Sequence, residues 1–101
     1  MTGATFTPAG KGRWALKGVL DFSSVADVWP ELEKLLKTST SMTVSLAGVR
    51  QSNSAGVVML VEARDLARRS RCRLQLVDLP AGMVDLARMS RCDTLITQNA
   101  A

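Results

Sequence analysis

The chain has 101 residues, of which 47% are hydrophobic and 22% charged, and its formal net charge is +4. These values are typical of one globular domain, here residues 1–101, with a single hydrophobic core. The sequence contains no histidine and no tyrosine, which excludes the commonest general base and the commonest zinc ligand.

Two strands are predicted at the start of the chain. A short edge strand is expected at Ala4–Thr7, followed by a turn at residues 8–12 that is rich in Gly and Pro. Apolar and polar residues then alternate over Arg13–Leu20, which is the period of a half-buried strand. Gly18 within this strand indicates that another segment of backbone approaches closely.

A helix is predicted next, with its N-terminal cap between Asp21 and Ser24. Its apolar stripe at helical spacing consists of Val25, Val28, Leu32, Leu35 and Leu36. Pro30 interrupts this pattern, because proline is tolerated in the first turn of a helix but not in its interior. The helix is therefore either irregular up to Trp29 and regular from Pro30 to Lys37, or kinked at Pro30.

Strands and helices alternate in the rest of the chain. The predicted elements are a strand at Met42–Leu46, a helix at Ser54–Ser70, a strand at Cys72–Val77, a helix at Met83–Met89 and a last short strand at Leu95-Ile96. The order β-β-α-β-α-β-α-β predicts an α/β fold in which helices pack on a mixed, largely parallel sheet.

The positive charge does not favour nucleic acid as a partner. Most of the arginines lie near predicted helix C-termini, where the helix dipole favours cations, and acidic residues are interspersed among them. Aromatic residues, which nucleic-acid sites commonly combine with basic ones, lie elsewhere in the chain. The arginine cluster over residues 64–73 is therefore interpreted as mostly a solvated face. No apolar run approaches the roughly 20 residues that span a bilayer, so direct membrane insertion is not expected.

The two cysteines are expected to be free thiols. Cys72 and Cys92 form neither a CxxC pair nor a disulfide framework, which favours a cytoplasmic location. Each ends one copy of a short repeated pattern, over residues 67–72 and 87–92. Both copies lie where a predicted helix ends and a strand is expected to follow, and we interpret them as a shared way of ending a helix, without a function of their own.

The segment Ser52-Asn53-Ser54-Ala55-Gly56 concentrates small hydroxyl and amide side chains between a predicted strand and a helix. A helix N-terminus presents unpaired backbone N–H groups, and Ser54 there is expected either to cap the helix or to meet a partner. Gly56 would leave the backbone open to close approach. Trp29 is either a tryptophan at the edge of the core or a partly exposed anchor for a partner.

No nucleophile with a neighbouring base, no metal-ligand set and no phosphate-binding loop can be assembled from these residues. The sequence therefore predicts a non-enzymatic interaction module without a cofactor.

Several segments, taken in order, resemble STAS domains. Gly18-Val19-Leu20-Asp21 resembles the Gly-Glu-Leu-Asp segment of that family, and Ser52–Gly56 after a strand resembles its Asp-Ser-x-Gly loop. The predicted second helix and residues 86–90 match the remaining part of the STAS pattern. Residues 28–31, Val-Trp-Pro-Glu, resemble the helix start of the MlaB-type branch.

The resemblance implies a STAS subunit that binds and stabilises or activates the ABC ATPase (MlaF-type) of an intermembrane phospholipid transport system that maintains outer-membrane lipid asymmetry. Such a subunit is cytoplasmic and reaches the inner membrane and its permease through the ATPase. The implied partner-binding residues are Trp29, Ser52, Asn53, Ser54, Gly56 and Val57. The alternative is an anti-anti-sigma factor regulated by phosphorylation of Ser54, although Asn53 stands where that loop usually has Asp.

Overall fold

In the computed structural model, which describes residues 3–97, these residues form four strands and four helices. The elements are β1 (Ala4–Gly10), β2 (Arg13–Leu20), α1 (Phe22–Thr38), β3 (Ser41–Ser52), α2 (Ser54–Arg69), β4 (Arg73–Val77), α3 (Ala81–Met89) and α4 (Asp93–Thr97).

The strands form one mixed sheet in the order β1-β2-β3-β4. A tight turn joins β1 to β2, so these two strands are antiparallel. The helices α1 and α2 are crossover connections, so β2, β3 and β4 are parallel. The predicted mixed sheet with helices packed on it is confirmed. Because the three parallel strands share a direction, their carboxyl ends meet at one edge of the sheet, where α1 and α2 begin.

The core lies between the helices and one face of the sheet. In β3 the alternation expected of a strand places Met42, Val44 and Leu46 in the core. Ser41, Thr43 and Ser45 alternate with them and remain at least partly exposed on the opposite face.

Gly18 has the close backbone contact that its position in the strand predicted. Its φ is +105°, and a Cβ atom there would collide with the carbonyl oxygen of Gly3. A side chain at this position would therefore disrupt the pairing of β1 with β2.

The helix α1 begins with a capping box and continues through Pro30. The backbone N–H of Ser24 donates to Asp21 Oδ1, and the N–H of Asp21 donates to Ser24 Oγ, both at 2.9 Å. Pro30 lacks an N–H, so the Ala26 carbonyl receives no helical bond from it; both residues are exposed, which leaves that carbonyl open to water.

One prediction about the later elements is wrong, and one arginine is an exception to the solvated face expected for most of its cluster. Leu95-Ile96 forms no strand but lies in helix α4, where the Ile96 side chain is fully buried. Arg64 is not part of a solvated face: its guanidinium donates to the carbonyl oxygens of Leu95 at 3.0 Å and Leu74 at 2.7 Å. This arginine therefore ties α2 to both α4 and β4.

The repeated pattern has a common structural basis. In each copy the residue before the cysteine is left-handed, with φ of 58° at Arg71 and 57° at Arg91. The N–H of Cys72 donates to the Ala67 carbonyl at 2.8 Å, and the second copy makes the same bond from Cys92. Both copies are Schellman motifs that end a helix, with arginine in the position that glycine usually takes.

Candidate partner-binding site

The junction between β3 and α2 is capped by Asn53. Its backbone is extended, and its Oδ1 accepts a hydrogen bond from the Ala55 N–H at 2.8 Å. The cap therefore belongs to Asn53, and Ser54 is the first residue of the helix. The interpretation of Ser54 as the N-cap is wrong, because the Asn53 side chain already accepts from a backbone N–H of the first turn that has no partner within the helix.

The Ser54 side chain is exposed at the positive end of the α2 dipole. It makes no hydrogen bond to any other residue between 3 and 97. Its hydroxyl can consequently donate to, or accept from, a group supplied by another molecule.

Ser54 lies at one end of an apolar groove between α1 and α2. The groove has a volume of about 340 Å³ and is lined by Phe22, Val25, Trp29, Ser54, Ala55, Val58, Met59 and Glu62. Two of these residues are apolar and largely exposed, Phe22 at 78% and Val58 at 58%. Glu62 is the one charged residue that lines the groove. We call this surface the α1–α2 groove.

A smaller apolar depression lies on the other flank of α2. It has a volume of about 140 Å³ and is lined by Ser54, Val57, Val58, Val61, Leu86, Ser90 and Cys92. Ser54 and Val58 line both features. The two depressions thus form one apolar surface that crosses the first two turns of α2.

The residues that the sequence proposed for partner binding divide into an accessible and a buried group. Asn53 and Ser54 are exposed, while Trp29 and Ser52 are partly exposed. Trp29 packs against the edge of the core and also lines the α1–α2 groove, where it stays partly exposed. Its role as an anchor for a partner stays a prediction.

Gly56 and Val57 are buried, so they contribute little surface to a partner. The expectation that Gly56 leaves the backbone open is wrong, because this residue faces the protein interior. A Cβ atom at Gly56 would collide with Ser52 Oγ and lie 2.9 Å from Leu20 Cβ. The absence of a side chain here lets the first turn of α2 pack on the end of β2.

Sequence reasoning missed Phe22 and Val58. Phe22, Val25 and Trp29 recur at i, i+3 and i+7, which defines a second stripe on α1 beside the core stripe. Ser54, Val58 and Glu62 recur at i, i+4 and i+8 on α2. Each spacing is visible in the sequence, but only the parallel packing of the two helices brings the stripes together.

Among residues 3–97 there is no cluster of three or more side chains suited to hold a metal ion. Within the same range, no helix has both the length and the hydropathy needed to cross a membrane.

Comparisons with known proteins agree with this architecture. A solved structure described as the anti-sigma factor antagonist SpoIIAA in its unphosphorylated form is similar, with a TM-score of 0.71 and 12% sequence identity. That alignment covers 98% of this chain and 89% of the other, which shows a shared fold. A comparison with curated protein sequences gave no match. The family model described as "Mlab, STAS domain" matches residues 8–97. The chain therefore belongs to the MlaB-type STAS domain family.

Proposed function

We propose that this protein is a non-enzymatic STAS subunit that docks on the cytoplasmic ABC ATPase of an Mla-type phospholipid transport system. In this role it stabilises or activates the ATPase, and through it the membrane permease. Membership of the MlaB-type family supports the choice of partner. The protein would then be cytoplasmic and peripheral to the inner membrane.

The observation that carries the docking part of the proposal is the exposed apolar surface around Ser54. Phe22 and Val58 expose 78% and 58% of their surface on adjacent helices. Contiguous apolar surface of this kind marks interaction sites on soluble domains. Burial of one such side chain in an interface contributes roughly 1.5–3 kcal/mol.

Trp29 and Ser54 have complementary roles in this interface. Trp29 lies partly exposed in the wall of the groove, and tryptophan is enriched among the residues that dominate binding energy. Ser54 supplies a hydroxyl at the rim, beside the Asn53 amide that caps the helix. Ser52 stabilises the junction between β3 and α2, because its Oγ donates a hydrogen bond to the Asn53 carbonyl oxygen at 2.9 Å.

A phosphate on Ser54 would act against docking. The α2 dipole favours a negative charge at this position in the free protein. In the complex the same dianion would have to be desolvated against the apolar side chains of the groove, which is costly. We therefore expect Ser54→Asp to weaken partner binding and Ser54→Ala to change it little.

The alternative is an anti-anti-sigma factor that binds a kinase-like partner according to the phosphorylation state of Ser54. The similarity in fold to an anti-sigma factor antagonist and the exposure of Ser54 favour this candidate. It requires phosphorylation of Ser54 beside a neutral Asn53.

The test is affinity purification of the tagged protein from native membranes and cytosol, with identification of the proteins that co-elute. An ABC ATPase with its permease is the expected result, and a small soluble kinase-like protein would support the alternative. Phe22→Ala should then weaken binding of the purified ATPase by about 2 kcal/mol, or roughly thirtyfold.

The matched control places the same charge at the start of another helix. Ala81→Asp alters the first residue of α3, which is exposed and lines neither apolar depression. Ser54→Asp should weaken ATPase binding and Ala81→Asp should not. Equal affinity of Ser54→Asp and the unaltered protein would contradict the docking model.

A further inference from the structure

A polar pocket lies on the sheet face that the helices leave uncovered. It has a volume of about 280 Å³ and is lined by Lys11, Gly12, Arg13, Ser41, Met42, Thr43, Arg73 and Gln75. Three of these residues are cations and none is acidic. We call this feature the basic pocket.

The strand register brings the basic side chains together. Arg13 on β2 pairs with Thr43 on β3, and Arg73 on β4 pairs with Ser41 on β3. The two arginines therefore flank β3 from either side, and their partners on β3 are two residues apart. Adjacent strands lie about 4.8 Å apart, and both arginines line the pocket together with Ser41 and Thr43 of β3.

The turn between β1 and β2 adds the third cation. Gly12 has a φ of +68°, which closes the turn after Lys11. The Gly12 carbonyl accepts a hydrogen bond from the Thr43 N–H at 2.9 Å, which fixes the turn against the amino end of β3. Lys11 is thereby held at the rim of the pocket.

The positive charge of the pocket is not neutralised within the described chain. The ion pairs among residues 3–97 involve Lys37, Arg68, Arg69 and Arg88 as cations, and none includes Lys11, Arg13 or Arg73. Like charges held near one another repel, and a bound anion would relieve that repulsion. Ser41, Thr43 and Gln75 supply further hydrogen-bond donors to an anion.

We propose that the basic pocket binds the phosphate group of a phosphate ester. Two guanidinium groups and one ammonium group match the charge and oxygen geometry of phosphate, and arginine can bind phosphate through two parallel hydrogen bonds. The pocket is concave and polar, which suits a small headgroup better than an extended polymer.

The basic pocket and the α1–α2 groove lie at opposite ends of the parallel strands. The pocket adjoins the amino ends of β2, β3 and β4, whereas Ser54 follows the carboxyl end of β3. Along β3 the chain advances nine residues from Thr43 in the pocket to Ser52 at the end of the strand, and at about 3.3 Å per residue this separates the two sites by on the order of 30 Å. Anion binding is therefore compatible with an occupied groove and does not depend on the proposed docking partner.

The test is a titration of the whole protein with glycerol 3-phosphate at low salt, followed by amide chemical shifts in NMR spectra. We expect saturable shifts centred on Gly12, Thr43 and Gln75. Arg13→Gln and Arg73→Gln should each weaken binding at least about fivefold, because each removes charge-assisted hydrogen bonds. Both side chains are exposed, and thermal unfolding of each variant would verify that it folds.

Arg50→Gln is the matched control, because Arg50 is an exposed cation on the neighbouring strand β3, outside the pocket. It removes the same charge and should weaken binding less than twofold. Equal weakening in all three variants would overturn the proposal, since it would reveal a response to net charge alone. The absence of saturable shifts at the pocket would overturn it as well.

A second experiment distinguishes the two possible ligands of the pocket, the headgroups of anionic lipids and soluble phosphate esters. Sedimentation with phosphatidylglycerol–phosphatidylcholine vesicles, compared with phosphatidylcholine vesicles alone, measures binding to anionic lipid headgroups. Loss of vesicle binding in Arg13→Gln and Arg73→Gln, but not in Arg50→Gln, would assign the pocket to headgroups. Saturable binding of glycerol 3-phosphate without vesicle binding would assign it to soluble phosphate esters. Binding of single-stranded DNA with no response to glycerol 3-phosphate would contradict the proposal.

Discussion

Replacement of Gly56 by alanine tests whether the first turn of α2 depends on the absence of a side chain. At an open helical position this exchange stabilises a protein by about 0.5–1 kcal/mol, because glycine loses more backbone entropy on folding. At Gly56 the new methyl group would collide with Ser52 Oγ and lie 2.9 Å from Leu20 Cβ. Ser52 is partly exposed and can rotate, whereas the Leu20 side chain is fully buried and cannot move away.

The cost of overpacking a core site in this way is about 1–3 kcal/mol. It exceeds the gain in helix propensity, so we expect Gly56→Ala to lower the free energy of unfolding by about 1–2 kcal/mol. In a domain of this size, 1 kcal/mol corresponds to roughly 4–8 °C in Tm. Urea denaturation followed by circular dichroism measures the free energy directly.

Gly82→Ala is the matched control in the first turn of α3. No atom lies within 4 Å of a Cβ built at Gly82, so this exchange should stabilise the protein by about 0.5–1 kcal/mol. The two variants thus have opposite predicted signs for the same chemical change. If Gly56→Ala also stabilised the protein, the close packing of α2 on Leu20 would be refuted.

Three further predictions concern the end of helix α2, the reactivity of the cysteines and the dependence of Tm on pH in acid. Arg71→Gly should raise the free energy of unfolding by about 0.5–1 kcal/mol in urea denaturation, because Arg71 has a left-handed φ of 58° that glycine adopts without strain; an unchanged or lowered value would contradict this. Iodoacetamide should label Cys92 before Cys72 in a mass-spectrometric time course, because Cys72 is buried and desolvation raises the pKa of its thiol; faster labelling of Cys72 would be the opposing result. The hydrogen bonds from Arg68 and then Arg69 lower the pKa of the Asp65 carboxyl, so its stabilising effect is present at neutral pH and is lost as the pH falls through that lowered pKa. Asp65→Asn should therefore flatten the acid limb of a plot of Tm against pH, and an unaltered limb would show that this surface cluster has no measurable effect.

The sheet and the first two helices could be predicted from the sequence because their patterns are regular. Alternation over Arg13–Leu20 and the stripe that includes Val28 and Leu32 each match a single type of element. The last element could not be predicted in this way. Leu95 and Ile96 are two adjacent apolar residues without a period, and the contact of Arg64 with the Leu95 carbonyl, which accompanies the helical form, is a tertiary interaction.

The position of the candidate site could be predicted, but not which of its residues are accessible. The small polar residues after β3 indicate a helix N-terminus, as the structure confirms for Asn53 and Ser54. Whether Gly56 faces a partner or Leu20 depends on the rotation of α2 relative to β2. The groove itself requires α1 and α2 to lie side by side, which places Phe22 near Val58 although 36 positions separate them in the chain.

The strand order has a consequence for the synthesis of this protein. Each strand of the sheet pairs with the strand that precedes it in the chain. A nascent chain can therefore form the β1–β2 hairpin first, add β3 after α1 has emerged, and add β4 last. Until β4 emerges, the outer edge of β3 stays unpaired and can join a strand of another nascent chain. The period of greatest risk of aggregation lasts while residues 53–77 leave the ribosome, because those residues carry both the helix and the strand that complete the sheet.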